Sequence, residues 1–248
     1  MLHNVQQEEA LFKNELVSLA NEYTGHSNIS REDILNGESL TEDLVVPIDA
    51  DFEALKELNP EIQGWLKIEN TNINYPVMQS KDNQKYLSLS YEGKYQRGGS
   101  VYLDWRVNLE NSKILLMYGH NMGTGKTIMF SELLNYLDGT YYSQYPAIQF
   151  ALDDGTKFGE EYEWEIFAVC TVDSKKEENI KSYYSTDFEN NEDFISYIEN
   201  LYRNSIYTTN CTDIPQRVIA LGTCLKSGQR SSERLIIYAG VFDKPSIN

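Results

Sequence analysis

Three reactive residues in this chain stand where strands begin or end. Cys224 closes the run Ala220-Leu221-Gly222-Thr223-Cys224, and Arg234 opens the apolar run Leu235-Ile236-Ile237-Tyr238-Ala239 ten positions later. A thiol at the end of one predicted strand and a guanidinium at the start of the next can face each other across a strand pair. The pair needs a base. Of only three histidines, His120 alone ends a buried-looking run, Leu115-Leu116-Met117-Tyr118-Gly119-His120. A cysteine attacks carbonyls as the thiolate, so its proton must go to a neighbour. An imidazole takes that proton and later returns one to a leaving amine. Free-solution pKa values of about 8.5 and 6.5 would leave only about 1% of molecules as thiolate and imidazolium together near pH 7.5. A fixed guanidinium cannot be the acid, but it can hold an oxyanion or clamp substrate carbonyls.

The other candidates for chemistry fall away. Cys170, in Ile166-Phe167-Ala168-Val169-Cys170, reads as a small buried side chain. Cys211 lies in the polar stretch Thr208-Thr209-Asn210-Cys211-Thr212 and reads as a surface thiol without a role. The three cysteines give neither a paired framework nor a metal-ligand spacing, so no metal or cofactor is expected. Gly123-Thr124-Gly125-Lys126-Thr127 imitates the end of a phosphate-binding loop. That pattern needs a glycine where His120 stands, so a glycine-rich turn is the better reading.

The net charge of −17 and pI near 4.5 exclude nucleic acid as a partner and disfavour an anionic lipid surface. No window approaches the length of apolar chain that spans a bilayer, and the N-terminus lacks the regions of a signal peptide.

The elements that must position the reactive groups are mostly strands. Residues 5–22 read as an amphipathic helix with Leu11, Phe12, Leu16, Leu19 and Ala20 on one face. The acidic segment 24–46 reads as a loop or short helix. Asp51 to Leu58 reads as a second helix, capped by Asp51 and ended by Pro60. From Gly64 the period changes, and eight strands are expected over residues 64–68, 73–79, 100–104, 113–121, 147–152, 162–172, 217–224 and 234–242. Two helices interrupt them, at about Thr127 to Leu137 and Asn191 to Asn204. The fold expected is all-β with peripheral helices, a closed barrel or sandwich.

The set Tyr118-Gly119-His120-Asn121-Met122, Thr223-Cys224 and Arg234 resembles the active-site signature of the sortases, surface transpeptidases of Gram-positive bacteria. Asn59-Pro60-Glu61-Ile62-Gln63-Gly64-Trp65-Leu66-Lys67-Ile68, Ile73-Asn74-Tyr75-Pro76-Val77-Met78-Gln79, Asp82-Asn83-Gln84-Lys85-Tyr86-Leu87 and Gly99-Ser100-Val101-Tyr102-Leu103-Asp104 resemble class B in particular. The similarity runs from about residue 50 to the end. It implies an eight-stranded sortase-type barrel with a long helix between the sixth and seventh strands. It also implies a catalytic unit over 51–248 and an N-terminal helical segment over 1–50 packed on it.

Carried over to this sequence, the resemblance makes Cys224 the nucleophile, His120 the acid and base, and Arg234 the oxyanion or substrate clamp. Asn83, Leu87, Tyr118 and Thr223 match groove-lining positions. The implied partners are sorting-signal peptides of surface proteins and an amine acceptor, either a peptidoglycan cross-bridge or a pilin lysine. The implied location is the outer face of the cell membrane, reached through an N-terminal anchor missing from this chain. Asp49-Ala50-Asp51-Phe52 lacks the proline of the Asp-Pro-aromatic lid of pilus-building class C enzymes, which favours class B. Gly222 and Leu225 depart from the serine and acidic residue that class B members often carry there, which bears on peptide preference. A papain-type hydrolase places its cysteine before its histidine, the reverse of the order here. A catalytically silent peptide-binding barrel is the alternative of another class.

Overall fold

The computed structural model describes residues 2–23, 50–152, 164–227 and 231–242. The acidic segment read as loop over 24–46 lies outside them. Helix α1 (Leu2–Tyr23) buries Phe12, Leu16, Leu19 and Ala20, a stripe repeating every three or four residues. Leu11 departs from expectation and is 64% exposed, because one residue is about 100° of helix and carries it past the stripe's edge. Helix α2 (Phe52–Leu58) starts where Asp51 Oδ1 accepts from the Ala54 amide at 3.0 Å.

Eight strands follow: β1 (Ile62–Lys67), β2 (Asn74–Met78), β3 (Val101–Leu103), β4 (Ile114–Tyr118), β5 (Ala147–Leu152), β6 (Trp164–Asp173), β7 (Arg217–Cys224) and β8 (Glu233–Val241). They close into a ring in the order β1-β2-β3-β4-β7-β8-β6-β5. All neighbours are antiparallel except β2 with β3 and β4 with β7, which run parallel. The runs of β7 and β8 are apolar without alternation because both their faces are covered. Inside the ring they meet the shared core. The short 3-10 helix at Phe130–Leu137 also packs against both.

Three further helices lie in the connections: α3 (Gly139–Gln144), α4 (Glu177–Tyr183) and α5 (Asn191–Asn204). As expected, α5 joins the sixth and seventh strands; it buries Phe194, Tyr197, Ile198 and Leu201 and packs on β6. Among the described residues no helix is long and apolar enough to cross a membrane.

Two further expectations need correction. The helix read over 127–137 begins only at Phe130, and its turns are 3-10. Met129 has φ +52, which no helix accepts, and it is held there by a bridge to Asn121 and by the Tyr75 hydroxyl bound to its amide. The strand read over 113–121 stops at Tyr118, so His120 stands two residues past the ladder, in a loop. The first two residues of the strand read from 162 lie outside the described residues.

Candidate active site

The parallel pairing of β4 with β7 brings two distant chain segments to one rim. Met117 is opposite Leu221, and Tyr118 is opposite Gly222. Beyond the ladder the two chains stay tied. The Gly119 amide reaches the Gly222 carbonyl at 3.3 Å, the Thr223 hydroxyl donates to the Gly119 carbonyl at 2.8 Å, and Asn121 Nδ2 donates to the Cys224 carbonyl at 2.9 Å. Counting on from Tyr118 and Gly222 sets His120 level with Cys224. On the other side, β8 runs antiparallel to β7 with Arg234 directly opposite Cys224. Opposed residues in a ladder carry their side chains on the same face. Thiol and guanidinium therefore come from two neighbouring strand ends, and the imidazole from the loop just past β4, at one rim of the ring. All three side chains are partly exposed there.

The loop after β4 fixes the imidazole. His120 Nε2 lies 2.9 Å from the Leu87 carbonyl oxygen. A carbonyl can only accept, so Nε2 carries the hydrogen, which leaves Nδ1 of the neutral ring free to take a proton. The Phe130 amide donates to the His120 carbonyl at 3.0 Å. Gly119 is required here, since a Cβ would stand 2.7 Å from the Phe130 ring. Arg234 is held by its own strand entry, where Nη1 donates to the Ser231 and Glu233 carbonyls at 2.6 and 3.1 Å.

Comparison with known proteins identifies the family. The Sortase domain family model matches residues 66–241. The chain belongs to the sortase family, in class B. It is 31% identical to Sortase B of Staphylococcus aureus over 192 residues, 77% of this chain and 74% of that protein. It is 35% identical to Sortase B of Listeria monocytogenes over 193 residues, 77% of this chain and 73% of that protein. Among solved structures, the Staphylococcus aureus sortase B–substrate complex superposes with a TM-score of 0.67 at 30% identity, covering 78% of this chain and 85% of the other. Membership makes the chain a cysteine transpeptidase of surface proteins.

In this sortase the four candidate groove residues take different places. Leu87 lends its carbonyl to His120, while its side chain packs against the core. Thr223 is 2% exposed, and its hydroxyl ties β7 to the His120 loop. The Tyr118 hydroxyl donates to Asp104 Oδ2 at 3.0 Å. Asn83 lies one side chain further out, with Nδ2 donating to Asp104 Oδ2 at 3.0 Å and Oδ1 accepting from the Trp105 amide at 2.9 Å.

Sequence reasoning missed Asp104, Arg106, Asn121 and Tyr184. Burial alone would push the Asp104 carboxyl up. The Arg106 side chain and amide, with Asn83, instead hold it below the usual carboxylate value. Burial pushes the Tyr184 phenol up to about 12, with Arg234 pulling it down and Cys224 pushing it further up. The Tyr184 carbonyl accepts from Arg106 Nη2 at 3.1 Å. The other thiols are of a different kind. Burial pushes Cys170 up to about 12, and burial with the Glu165 carboxylate does the same to Cys211, whose Sγ lies 3.3 Å from Glu165 Oε2. Neither forms an appreciable thiolate near neutrality.

Proposed function

We propose that this sortase joins surface proteins to an amine acceptor by two-step transpeptidation at Cys224. The thiolate attacks the carbonyl of a threonine within a C-terminal sorting motif. The tetrahedral intermediate collapses as His120 protonates the departing amine, and a thioacyl enzyme remains. An amine acceptor then enters, gives its proton to His120 and displaces the thiol, so one amide bond is broken and another made. Arg234 stabilises the oxyanion in both steps. Asn83 and Tyr118 would border the peptide, with Leu87 and Thr223 supporting it from beneath through their bonds to the His120 loop. The acceptor in this reading is the amine of a peptidoglycan cross-bridge.

The observation that carries the reading is the register itself. Arg234 is paired with Cys224, and the β4–β7 ladder, continued two residues, brings His120 level with both. The substrate complex of the Staphylococcus aureus relative supports a peptide as the occupant. Residues 51–248 would form the catalytic unit, with the segment over 1–50 bracing it. An N-terminal anchor would hold the enzyme at the outer face of the membrane.

Intact-mass spectrometry after mixing with sorting peptides tests the chemistry. An acyl adduct is expected in the wild type and none in Cys224→Ala; an adduct persisting in that variant removes Cys224 from the role. Added cross-bridge peptide should then raise product, whereas product formed only with pilin lysine would make the enzyme a pilus polymerase. Peptide binding unaffected by Cys224→Ala, with no amine-dependent product, would leave a silent binding barrel.

A further inference from the structure

Asp104 stands just past β3 and is 1% exposed, yet its two oxygens receive five donors. Arg106 Nε and its amide reach Oδ1 at 2.8 and 3.0 Å, and Arg106 Nη2 reaches Oδ2 at 2.9 Å. The Asn83 amide and the Tyr118 hydroxyl both reach Oδ2 at 3.0 Å. A carboxylate has roughly four lone-pair sites, so this one is saturated and has no capacity left for proton transfer.

The donors come from separate parts of the chain. Asn83 belongs to the connection after β2, and Tyr118 ends β4 two residues before His120. The Arg106 fork reaches further, with Nη2 also donating to the Tyr184 carbonyl at 3.1 Å, just after α4. Tyr184 has a buried phenol oxygen with no hydrogen-bond partner among the described residues, and the Arg234 guanidinium acts on it electrostatically. A buried ion pair is weak as a source of net stability, because desolvation offsets most of the attraction. What a bidentate fork does supply is a fixed geometry between the segments it joins.

We propose that Asp104 and Arg106 are a positioning pair: they hold the Asn83 segment and the Tyr184 segment, as the two flanks of the peptide groove, at a set distance from the Cys224 and Arg234 strand ends. The pair touches no reacting atom. It acts through Tyr118 and Asn83 on one side and through the Tyr184 backbone on the other. The inference rests on the transpeptidase reading for what fills the groove, but not for the geometry.

Arg106→Gln and Arg106→Lys in the full chain test it by three readouts. For the sorting peptide, KM should rise about tenfold or more while kcat falls less than about threefold, because binding is displaced and the chemistry is not. Alkylation of Cys224 by iodoacetamide should stay within about twofold of wild type, since the small reagent needs no groove. Amide exchange in a peptide spanning residues 183–187 should quicken about tenfold or more, with β7 and β8 unchanged. Lysine keeps the charge and lacks the fork, so it should behave like glutamine. Wild-type kinetics in Arg106→Lys would show that charge alone suffices and overturn the proposal. So would lowered thermal stability with KM and the exchange of 183–187 unaltered, the mark of a merely structural pair. Were wild type to form no acyl adduct with any sorting peptide, the transpeptidase reading would fall, and the exchange arm would still decide the pair.

Discussion

The ring of Tyr118 lies across Gly222, its partner in the β4–β7 ladder, so that a Cβ at 222 would stand 3.3 Å from ring carbon Cδ1. The ring cannot simply swing aside, since its hydroxyl is bound to buried Asp104. Gly222 and Tyr118 are therefore one fitted pair. Gly222→Ser should cost about 1 kcal/mol by urea unfolding, the usual scale of mild overpacking. In Tyr118→Ala the same change should cost close to nothing, a coupling of about 1 kcal/mol in the double-mutant cycle. Equal costs in both backgrounds would mean that the two residues do not share the space.

The three thiols should separate cleanly by reactivity. With Cys170 1% exposed and the Cys170 and Cys211 thiols both pushed up to about 12, iodoacetamide at pH 8 should place one group, on Cys224. In urea all three should react. Peptide mapping checks this, and labelling of native Cys211 at the rate of Cys224 would contradict it.

Arg234→Lys keeps the positive charge and removes the planar fork. Loss of an oxyanion donor lowers kcat on the order of 100-fold, and a similar fall is expected here with thermal stability little changed. Steady-state kinetics on one sorting peptide, with melting curves alongside, measures both.

Asp104 makes stability depend on acid. Its folded pKa lies below the ordinary 3.8, so the folded state resists protonation. Its stabilisation is full well above 3.8 and is lost as pH falls through that value and then through the folded one. Asp104→Asn should cost about 2 kcal/mol at pH 7, the scale of hydrogen bonds to a charged group. The gap to wild type should shrink below about pH 4. Urea titrations at pH 7, 5 and 3.5 test this, and a gap constant with pH would exclude the ionised carboxylate as its source.

Much of this was legible in sequence because it depended on period and punctuation. The apolar runs of β7 and β8 read as strands, Asp51 and Pro60 bracketed α2, and the spacing of Phe194, Ile198 and Leu201 marked α5. Cys224 opposite Arg234 followed from two strands joined in succession. The parallel β4–β7 pairing was not legible, since it joins Tyr118 to Gly222 across about a hundred residues and no local pattern records a partner that far away. Met129 escaped for another reason: its φ of +52 is set by tertiary bonds against the preference of its own side chain. The Asp104 and Arg106 pair was not legible either, because burial is a property of the surroundings.

The same parallel pairing also sets when the enzyme can become reactive. His120 and Cys224 meet only after loop-closure entropy for the whole intervening chain has been overcome, which makes their approach a late, high-contact-order event in folding. On the proposed roles, a nascent or partly folded chain carries Cys224 without its base, a dormant thiol. Peptide cleavage during refolding should then appear with the slowest kinetic phase rather than with the earlier gain of helix signal.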